Sequence, residues 1–340
     1  MAPALKASAG FHIVDIVSTV MPGTCDSVFL PLLENATGKQ CGCDFGLVYN
    51  PEFIALGSVI RDFLNPGMVL VGASDRGSAE VVQELYSTTC KSSPEFAIMS
   101  LTNAEITKLG INCYVTMKIS YANSLAAVCE QLPGADVDII TAAMGADSRI
   151  GGKYLKGGLG FGGPCFPRDN LAFQAFVGEL GCELPLGQAV VAVNNSIPER
   201  ICRIILDCCE PPAKVALLGL SYKAGTYVIE ESQSLIIAQQ LFEAGYRVSL
   251  HDPKALEAAK SRLGSKAEYA ATMDDCLSDA SAVLFMTDWP IYGELDAERI
   301  AASARPGAVI IDSWRRHRDL EKSGFTYIPL GVGIERNTFK

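Results

Sequence analysis

The residues best suited to covalent chemistry lie in Gly157-Gly158-Leu159-Gly160-Phe161-Gly162-Gly163-Pro164-Cys165-Phe166-Pro167-Arg168-Asp169. Cys165 is a nucleophile by type, held between two prolines and followed by a cation and a carboxylate. Gly158-x-Gly160-x-x-Gly163 has the G-x-G-x-x-G spacing. However, no strand precedes it and Pro164 blocks a smooth helix start, so it does not read as a dinucleotide-binding turn. One reading is a loop of bare backbone that approaches a ligand and presents Cys165; the other is a flexible loop beside a buried cysteine. Lys108 and Asn112 are one helical turn apart and share a face. A cation and an amide there can stabilise an oxyanion, although two polar residues on a solvated face have the same spacing.

These residues need elements to hold them. The N-terminal stretch carries short apolar strands at 11–17, 46–49 and 68–72, with a helix at 24–33. That makes a partial α/β domain, assigned to 1–95. From Asn103 the period becomes helical: Ile106, Leu109, Cys113, Met117, Tyr121 and Leu125 recur at 3–4 residue spacing, predicting one long helix over 103–131. Further helices are expected at 136–144, 168–180 and 185–209, with Pro198 kinking or breaking the last. This central helical domain spans 96–210. Pro211-Pro212 marks the next boundary. Beyond it, apolar β-branched runs at 214–220, 246–251, 282–286 and 308–311 alternate with helical stretches. A Rossmann-like parallel α/β domain over 211–340 follows from that alternation.

The 340 residues carry a formal charge of −10, against the basic stripe of a nucleic-acid binder. A composition 49% hydrophobic and 19% charged supports a large core and excludes wholesale disorder. No apolar run reaches the ~18–20 residues of a bilayer span, and the first apolar stretch is interrupted by Asp15. The reading is therefore a cytoplasmic protein with no signal peptide and no membrane partner, its 12 cysteines read as thiols. Cys41-x-Cys43 and Cys208–Cys209 lack a second pair at zinc spacing, so no metal site is expected.

The cysteine loop resembles that of the UDP-glucose/GDP-mannose dehydrogenase family, the nucleotide-sugar 6-dehydrogenases, departing only by Arg168 for Lys. Other blocks agree in order: Ser18-Thr19-Val20-Met21-Pro22-Gly23, Asn50-Pro51-Glu52-Phe53, Lys108-x-x-x-Asn112, Asp147-Ser148-Arg149-Ile150-Gly151 and Gly219-Leu220-Ser221-Tyr222-Lys223. The resemblance implies NAD-dependent oxidation of a sugar CH2OH to a carboxylate in two steps. Cys165 would carry the thiohemiacetal and thioester, and Lys108 and Asn112 the oxyanions. Asp169 would orient a proton-transfer water or lysine, while Thr19 and Glu52 would position the hydrolytic water. It implies that Phe53, Arg149, Tyr154, Lys156, Gly157, Gly160, Phe161, Gly162, Lys223 and Arg315 hold the nucleotide sugar. Thr19, Glu52, Cys165 and Arg168 would border NAD, and the long helix would form a homodimer interface.

The sequence also departs from the family pattern. Leu56 stands where a second Glu is frequent, and Glu230-Glu231-Ser232 reverses a charge usually supplied by Arg. The family's opening strand and G-x-G-Y-V-G turn are not found before Phe11, so the N-terminal part of the NAD-binding domain is expected to be missing. On that expectation a catalytically incompetent, sugar-nucleotide-binding or oligomerising remnant is the competing reading. A cysteine-dependent aldehyde or acyl enzyme without NAD is a third.

Overall fold

The computed structural model describes residues 1–334. The chain forms two compact units, Met1–Cys113 with Ala175–Cys182, and 114–174 with 183 onward.

In the first unit, strands β1 (His12–Ile16), β2 (Phe45–Tyr49), β3 (Met68–Ala73) and β4 (Glu95–Met99) form one sheet in that order. β1 and β2 are parallel, as are β3 and β4, while β2 and β3 run antiparallel. Helices α1 (Ala2–Ala7) and α2 (Leu30–Thr37) precede β2, and α3 (Val59–Leu64) and α4 (Arg76–Thr89) flank β3. A π turn, Cys25–Phe29, leads into α2, so the helix expected at 24–33 continues to 37. Alternation gives the sheet two apolar faces. Val14, Phe45, Leu47, Tyr49 and Leu70 pack on one side with Leu5, Leu33, Leu101 and Ala104. Val48, Val69 and Val71 pack on the other with Ala79, Val82 and Tyr86. Phe45, Leu47, Tyr49 and Leu70 are wholly buried, and each such side chain contributes about 1.5–3 kcal/mol relative to exposure.

This unit is fuller than its sequence suggests. Four strands replace the expected three, and α4 was not anticipated. Asp75 starts α4 by accepting the Ser78 N–H (2.9 Å), and Ala79, Val82 and Tyr86 supply a buried stripe. That stripe is masked in the sequence by Val81 and Leu85, which point outward. β4 is only half-buried, with Glu95 and Ile98 exposed, so it carries a weak apolar signal.

The long helix α5 (Leu101–Cys129) and α7 (Phe166–Glu179) contribute residues to both units. α5 is not amphipathic in the expected sense. Of the predicted apolar stripe, Leu109 is buried, but Ile106 and Tyr121 are exposed. The helix also buries a polar stripe: Glu105, Lys108, Asn112, Thr116, Ser120 and Asn123, at spacings of three and four. Tyr114, Tyr121 and Val128, seven residues apart, are each more than half exposed. The helix thus buries this polar row beside Leu101, Ala104, Leu109, Ala122 and Ala126.

In the second unit, α6 (Val137–Ala146) and α8 (Pro185–Cys208) join six parallel strands. These are β5 (Lys214–Leu218), β6 (Arg247–His251), β7 (Glu268–Tyr269), β8 (Ala282–Phe285), β9 (Val309–Asp312) and β10 (Thr326–Pro329). Their order is β10-β9-β8-β5-β6-β7, with crossovers through α9 (Gln233–Glu243), α10 (Leu256–Leu263), α11 (Met273–Leu277) and α12 (Ala297–Ser303). β5, β8 and β9 are buried throughout, as strands covered on both faces must be. β7 and β10 were not foreseen; β7 has two residues and β10 ends in Pro329.

α8 continues through Pro198 instead of breaking. Proline lacks the N–H that would satisfy the carbonyl four residues back. Gln233 Nε2 donates to that Asn194 carbonyl (3.1 Å), which replaces the missing bond.

Candidate active site

In the first unit, the loop after β1 and the loop after β2 are tied to the start of α5. The Glu105 carboxylate accepts the N–H groups of Gly23 (2.5 Å) and Cys25 (2.8 Å), fixing the segment that follows Thr19. Lys108, buried, donates from Nζ to the Glu52 carbonyl (2.5 Å) and lies 4.1 Å from the Phe53 ring centre. The Glu52 carboxylate accepts from Tyr86 (3.0 Å). Asn112 is buried one turn beyond Lys108. Thr19 is half-buried, and Leu56 is 39% exposed, so it does not fill the place of a buried acid. A cavity of about 340 Å³ is lined by Asn50, Glu52, Phe53, Phe63, Asn65 and Tyr86 among others. Its aromatic walls and amide and carboxylate groups suit a carboxamide-bearing ring such as nicotinamide. The turn entering α2 is no seat for a pyrophosphate, since the Glu105 carboxylate already takes its N–H groups.

In the second unit, the glycine loop is gripped from several elements. Asn123 of α5 accepts from Gly158 N (2.9 Å) and donates to Leu159 O (3.2 Å). Asn194 of α8 accepts from Phe161 N (2.8 Å) and donates to Phe161 O (3.1 Å). Gln233 of α9 accepts from Gly160 N (2.9 Å), and the Glu230 carbonyl accepts from Gly163 N (2.9 Å). The glycines are needed because the protein itself presses on the loop. A Cβ at Gly163, whose φ is +83°, would stand 2.6 Å from the Tyr222 ring; one at Gly158 would stand 2.6 Å from the Ser313 carbonyl. The close backbone approach expected of this loop is made to protein atoms, and the alternative of a buried cysteine is corrected, since Cys165 is exposed. At Gly157, Gly160 and Gly162 the bare backbone faces protein atoms. Glu230 and Glu231 meet the loop through their main chain, while their side chains are exposed. The charge reversal there leaves the loop contact intact.

The result is a rigid mount for an exposed cysteine. Cys165 immediately precedes α7, and its carbonyl accepts the Asp169 N–H (2.8 Å). Asp169 is buried and paired with Arg168 (3.0 Å), so Arg168 bears directly on the acid beside the cysteine. Asn170, also buried, bonds Thr116 of α5 and the Phe166 carbonyl. The Phe166 ring is met edge-on by Phe161 and Tyr154, the latter at φ +62°. Tyr222 is pushed up to about 12, first by burial and then by the Cys165 charge.

The expected substrate cations separate into two kinds. Lys156 is exposed, 5.5 Å from the Trp314 ring centre, and Lys223 is half-buried with Nζ 5.7 Å from the Tyr222 ring centre. Arg149 is exposed and bidentate to Asp147. Arg315 does not fit its expected role. Its side chain is fully buried, and its five N–H donors go to Asp138 (twice), Ser313 O, Leu330 O and Gly157 O. No donor remains for a diphosphate. Arg315 holds the glycine loop.

Asn123, Asn194, Gln233 and Asp138 were missed in the sequence. Their signal was faint: single polar residues interrupting apolar helical stripes.

Three family models match the chain, all of the UDP-glucose/GDP-mannose dehydrogenase family: the NAD binding domain over 2–90, the central domain over 102–196 and the UDP binding domain over 216–318. The chain is 36% identical over 307 residues to the UDP-glucose 6-dehydrogenase AglM of Haloferax volcanii, covering 89% of this chain and 70% of that protein. It is 31% identical over 336 residues to the UDP-glucose 6-dehydrogenase TuaD of Bacillus subtilis, covering 97% and 70%. The structure of a UDP-glucose dehydrogenase from Pyrobaculum islandicum superposes with a TM-score of 0.84 at 32% identity, covering 98% of this chain and 73% of that one. The chain belongs to the UDP-glucose/GDP-mannose dehydrogenase family. Membership makes it an NAD-dependent oxidoreductase. The expected loss of the N-terminal part of the NAD-binding domain is overturned, because that domain's model matches 2–90, and the remnant reading falls with it. No helix among the described residues is long and apolar enough to cross a membrane.

Proposed function

We propose that the protein oxidises C6 of UDP-glucose, or a related UDP-hexose, from alcohol to uronic acid. The observation that carries this reading is the exposed Cys165 on a glycine loop held by Asn123, Asn194, Gln233 and Arg315. A nucleophile so fixed suits an addition that needs near-attack geometry twice in one cycle. NAD, when bound, accepts the hydride at each oxidation. Cys165 sulfur adds to the carbon of the intermediate aldehyde, and loss of the second hydride leaves a thioester that water cleaves to the acid and the free thiol. Lys108 and Asn112 stabilise the oxyanions, Asp169 orients the proton-transfer group, and Thr19 and Glu52 position the water. Residues 1–95 serve NAD, 96–210 carry the cysteine chemistry, and 211–340 hold the UDP moiety. Phe53, Tyr154, Phe161, Lys156, Lys223 and Arg149 remain the contacts proposed for the nucleotide sugar. Thr19, Glu52, Cys165 and Arg168 border the cofactor.

The test is stoichiometry. The protein should form two NADH per UDP-glucose, Cys165→Ala should form no acid, and Cys165→Ser should accumulate a covalent ester. Full acid formation by Cys165→Ala would remove the thioester from the mechanism. We further propose a cytoplasmic homodimer built on α5, supported by the outward Tyr114, Tyr121 and Val128. Sedimentation velocity should show a dimer that Tyr121→Glu converts to monomer; a wild-type monomer at micromolar concentration would exclude this assembly.

A further inference from the structure

Pro198 is buried inside α8, where proline is the least favourable residue. It has no N–H, so the carbonyl of Asn194, one turn back, loses its usual helical donor. Gln233 of α9 takes that donor's place. Its Nε2 donates to the Asn194 carbonyl (3.1 Å), and its Oε1 accepts the Gly160 N–H of the cysteine loop (2.9 Å). These partners leave the amide one orientation, because a carbonyl only accepts and a backbone N–H only donates. The Asn194 side chain spans the next residue of the loop, accepting the Phe161 N–H (2.8 Å) and donating to the Phe161 carbonyl (3.1 Å). Both amide side chains are buried. Gly160 admits them, since a Cβ there would collide with Asn194 Oδ1 and Gln233 Nε2.

We infer that Pro198 is a positioning residue for the cysteine loop: by withholding an N–H from α8 it leaves the Asn194 carbonyl to Gln233, and so sets the amide that holds Gly160. The inference rests on Cys165 of that loop doing the covalent chemistry. An ordinary residue at 198 would donate to the Asn194 carbonyl along the helix. The oxygen can accept twice, but the helical N–H is fixed by the backbone, and a side-chain amide sharing that oxygen is held less firmly. The amide also has somewhere to go. Asn194, Pro198 and Gln233 border a cavity of about 310 Å³, walled by Phe161, Leu171, Val191 and Ile236 among others. An amide turned into it would release the Gly160 N–H, five residues before Cys165. The holds on Gly158 by Asn123 and on Gly163 by the Glu230 carbonyl would remain. Pro198 therefore tunes the middle of the loop, and its replacement should weaken catalysis without unfolding the site.

The experiment has two arms, both on the intact protein. The first needs no substrate. With 15N-labelled glutamine, the Gln233 side-chain amide, assigned by its loss in Gln233→Leu, should shift and exchange faster with solvent in Pro198→Ala. Gln233→Leu leaves the buried Asn194 carbonyl without a donor and should lower the urea midpoint; adding Pro198→Ala supplies a helical N–H and should restore most of it. The second arm follows acid formation from UDP-glucose and NAD. Pro198→Ala should lower kcat about fivefold, the weight of one ordinary hydrogen bond, with KM little changed and a urea midpoint no lower than wild type. The double variant, though restabilised, should stay as slow as Gln233→Leu. A midpoint and a kcat that fall together in Pro198→Ala would mark an ordinary structural proline and overturn the inference. An unmoved Gln233 amide, or no restabilisation of Gln233→Leu, would overturn it whatever the activity. A released amide with unchanged kcat would overturn the positioning role while Cys165→Ala still forms no acid. Acid formation by Cys165→Ala would overturn it through the reading of Cys165, and the first arm would show that the joint between α8 and α9 is nonetheless real.

Discussion

The two α/β regions treat the aspartates of their strands in opposite ways. In the C-terminal sheet, Asp252 follows β6 and receives four backbone N–H groups, from Leu220, Ser221, Lys254 and Ala255, at 2.7–3.1 Å. Asp312 closes β9 and receives those of Trp314, Arg315 and His317 together with the Tyr327 hydroxyl. These carboxylates stand where the turns at the strand ends would otherwise leave orphan donors, so their burial is balanced bond for bond. In the N-terminal sheet, Asp15 lies inside a strand with an oxygen unmatched. The same residue type is architecture in one region and an unmatched group in the other. What separates them is the number of N–H groups aimed at the carboxylate: a strand end offers a fan of them, and a strand interior has spent its own on the ladder.

The largest effect expected from this contrast is at Asp252. Asp252→Ala leaves four buried N–H groups without an acceptor, and such groups cost about 1–3 kcal/mol each when they cannot be rehydrated. Partial relaxation reduces the sum, so a loss of about 4 kcal/mol is expected. Both tryptophans of the chain, Trp289 and Trp314, lie in this region, and Trp289 Nε1 itself donates to Asp252 (3.2 Å). Tryptophan fluorescence in a urea titration therefore reads the damage directly. A midpoint unchanged from wild type would show that the fan of N–H groups is satisfied without the carboxylate.

The same contrast explains what could be seen in the sequence. Four of the six strands of the C-terminal sheet are continuous apolar runs, and their positions are legible to within a residue or two: 246–251 against Arg247–His251, 282–286 against Ala282–Phe285. The cysteine loop was legible because glycines, prolines and Cys165 have few other reasons to occur together. The buried polar stripe of α5 was not, since helical periodicity registers where apolar residues recur and Glu105, Thr116 and Asn123 invert that pattern. Arg315 was misassigned for a related reason. Sequence shows a cation but not whether its donors are spent, and all five are spent inside the protein. Asp15 was visible only as a break in an apolar run; that it stands opposite Val48 is set by the pairing of β1 with β2, far away in the chain.

A smaller effect of opposite sign is expected at Asp15. Folding raises its pKa from 3.8 to about 6, so between those values the folded state holds a proton that the unfolded state has released. Stability then falls as pH rises from about 4 to about 6, and the deficit is complete above 6. A shift of about two units corresponds to at most ~3 kcal/mol at pH 7. Asp15→Val, whose side chain suits an interior strand position beside Val48, removes that deficit. The variant should be more stable than wild type at pH 7, with the advantage shrinking toward pH 4, where Asp15 is protonated in both states. Urea unfolding followed by far-UV circular dichroism at the two pH values measures the difference. A variant less stable than wild type at pH 7, or an advantage independent of pH, would place Asp15 with Asp252 and Asp312 among the aspartates that hold the fold. The expected result would mark Asp15 as a residue kept at a cost to stability.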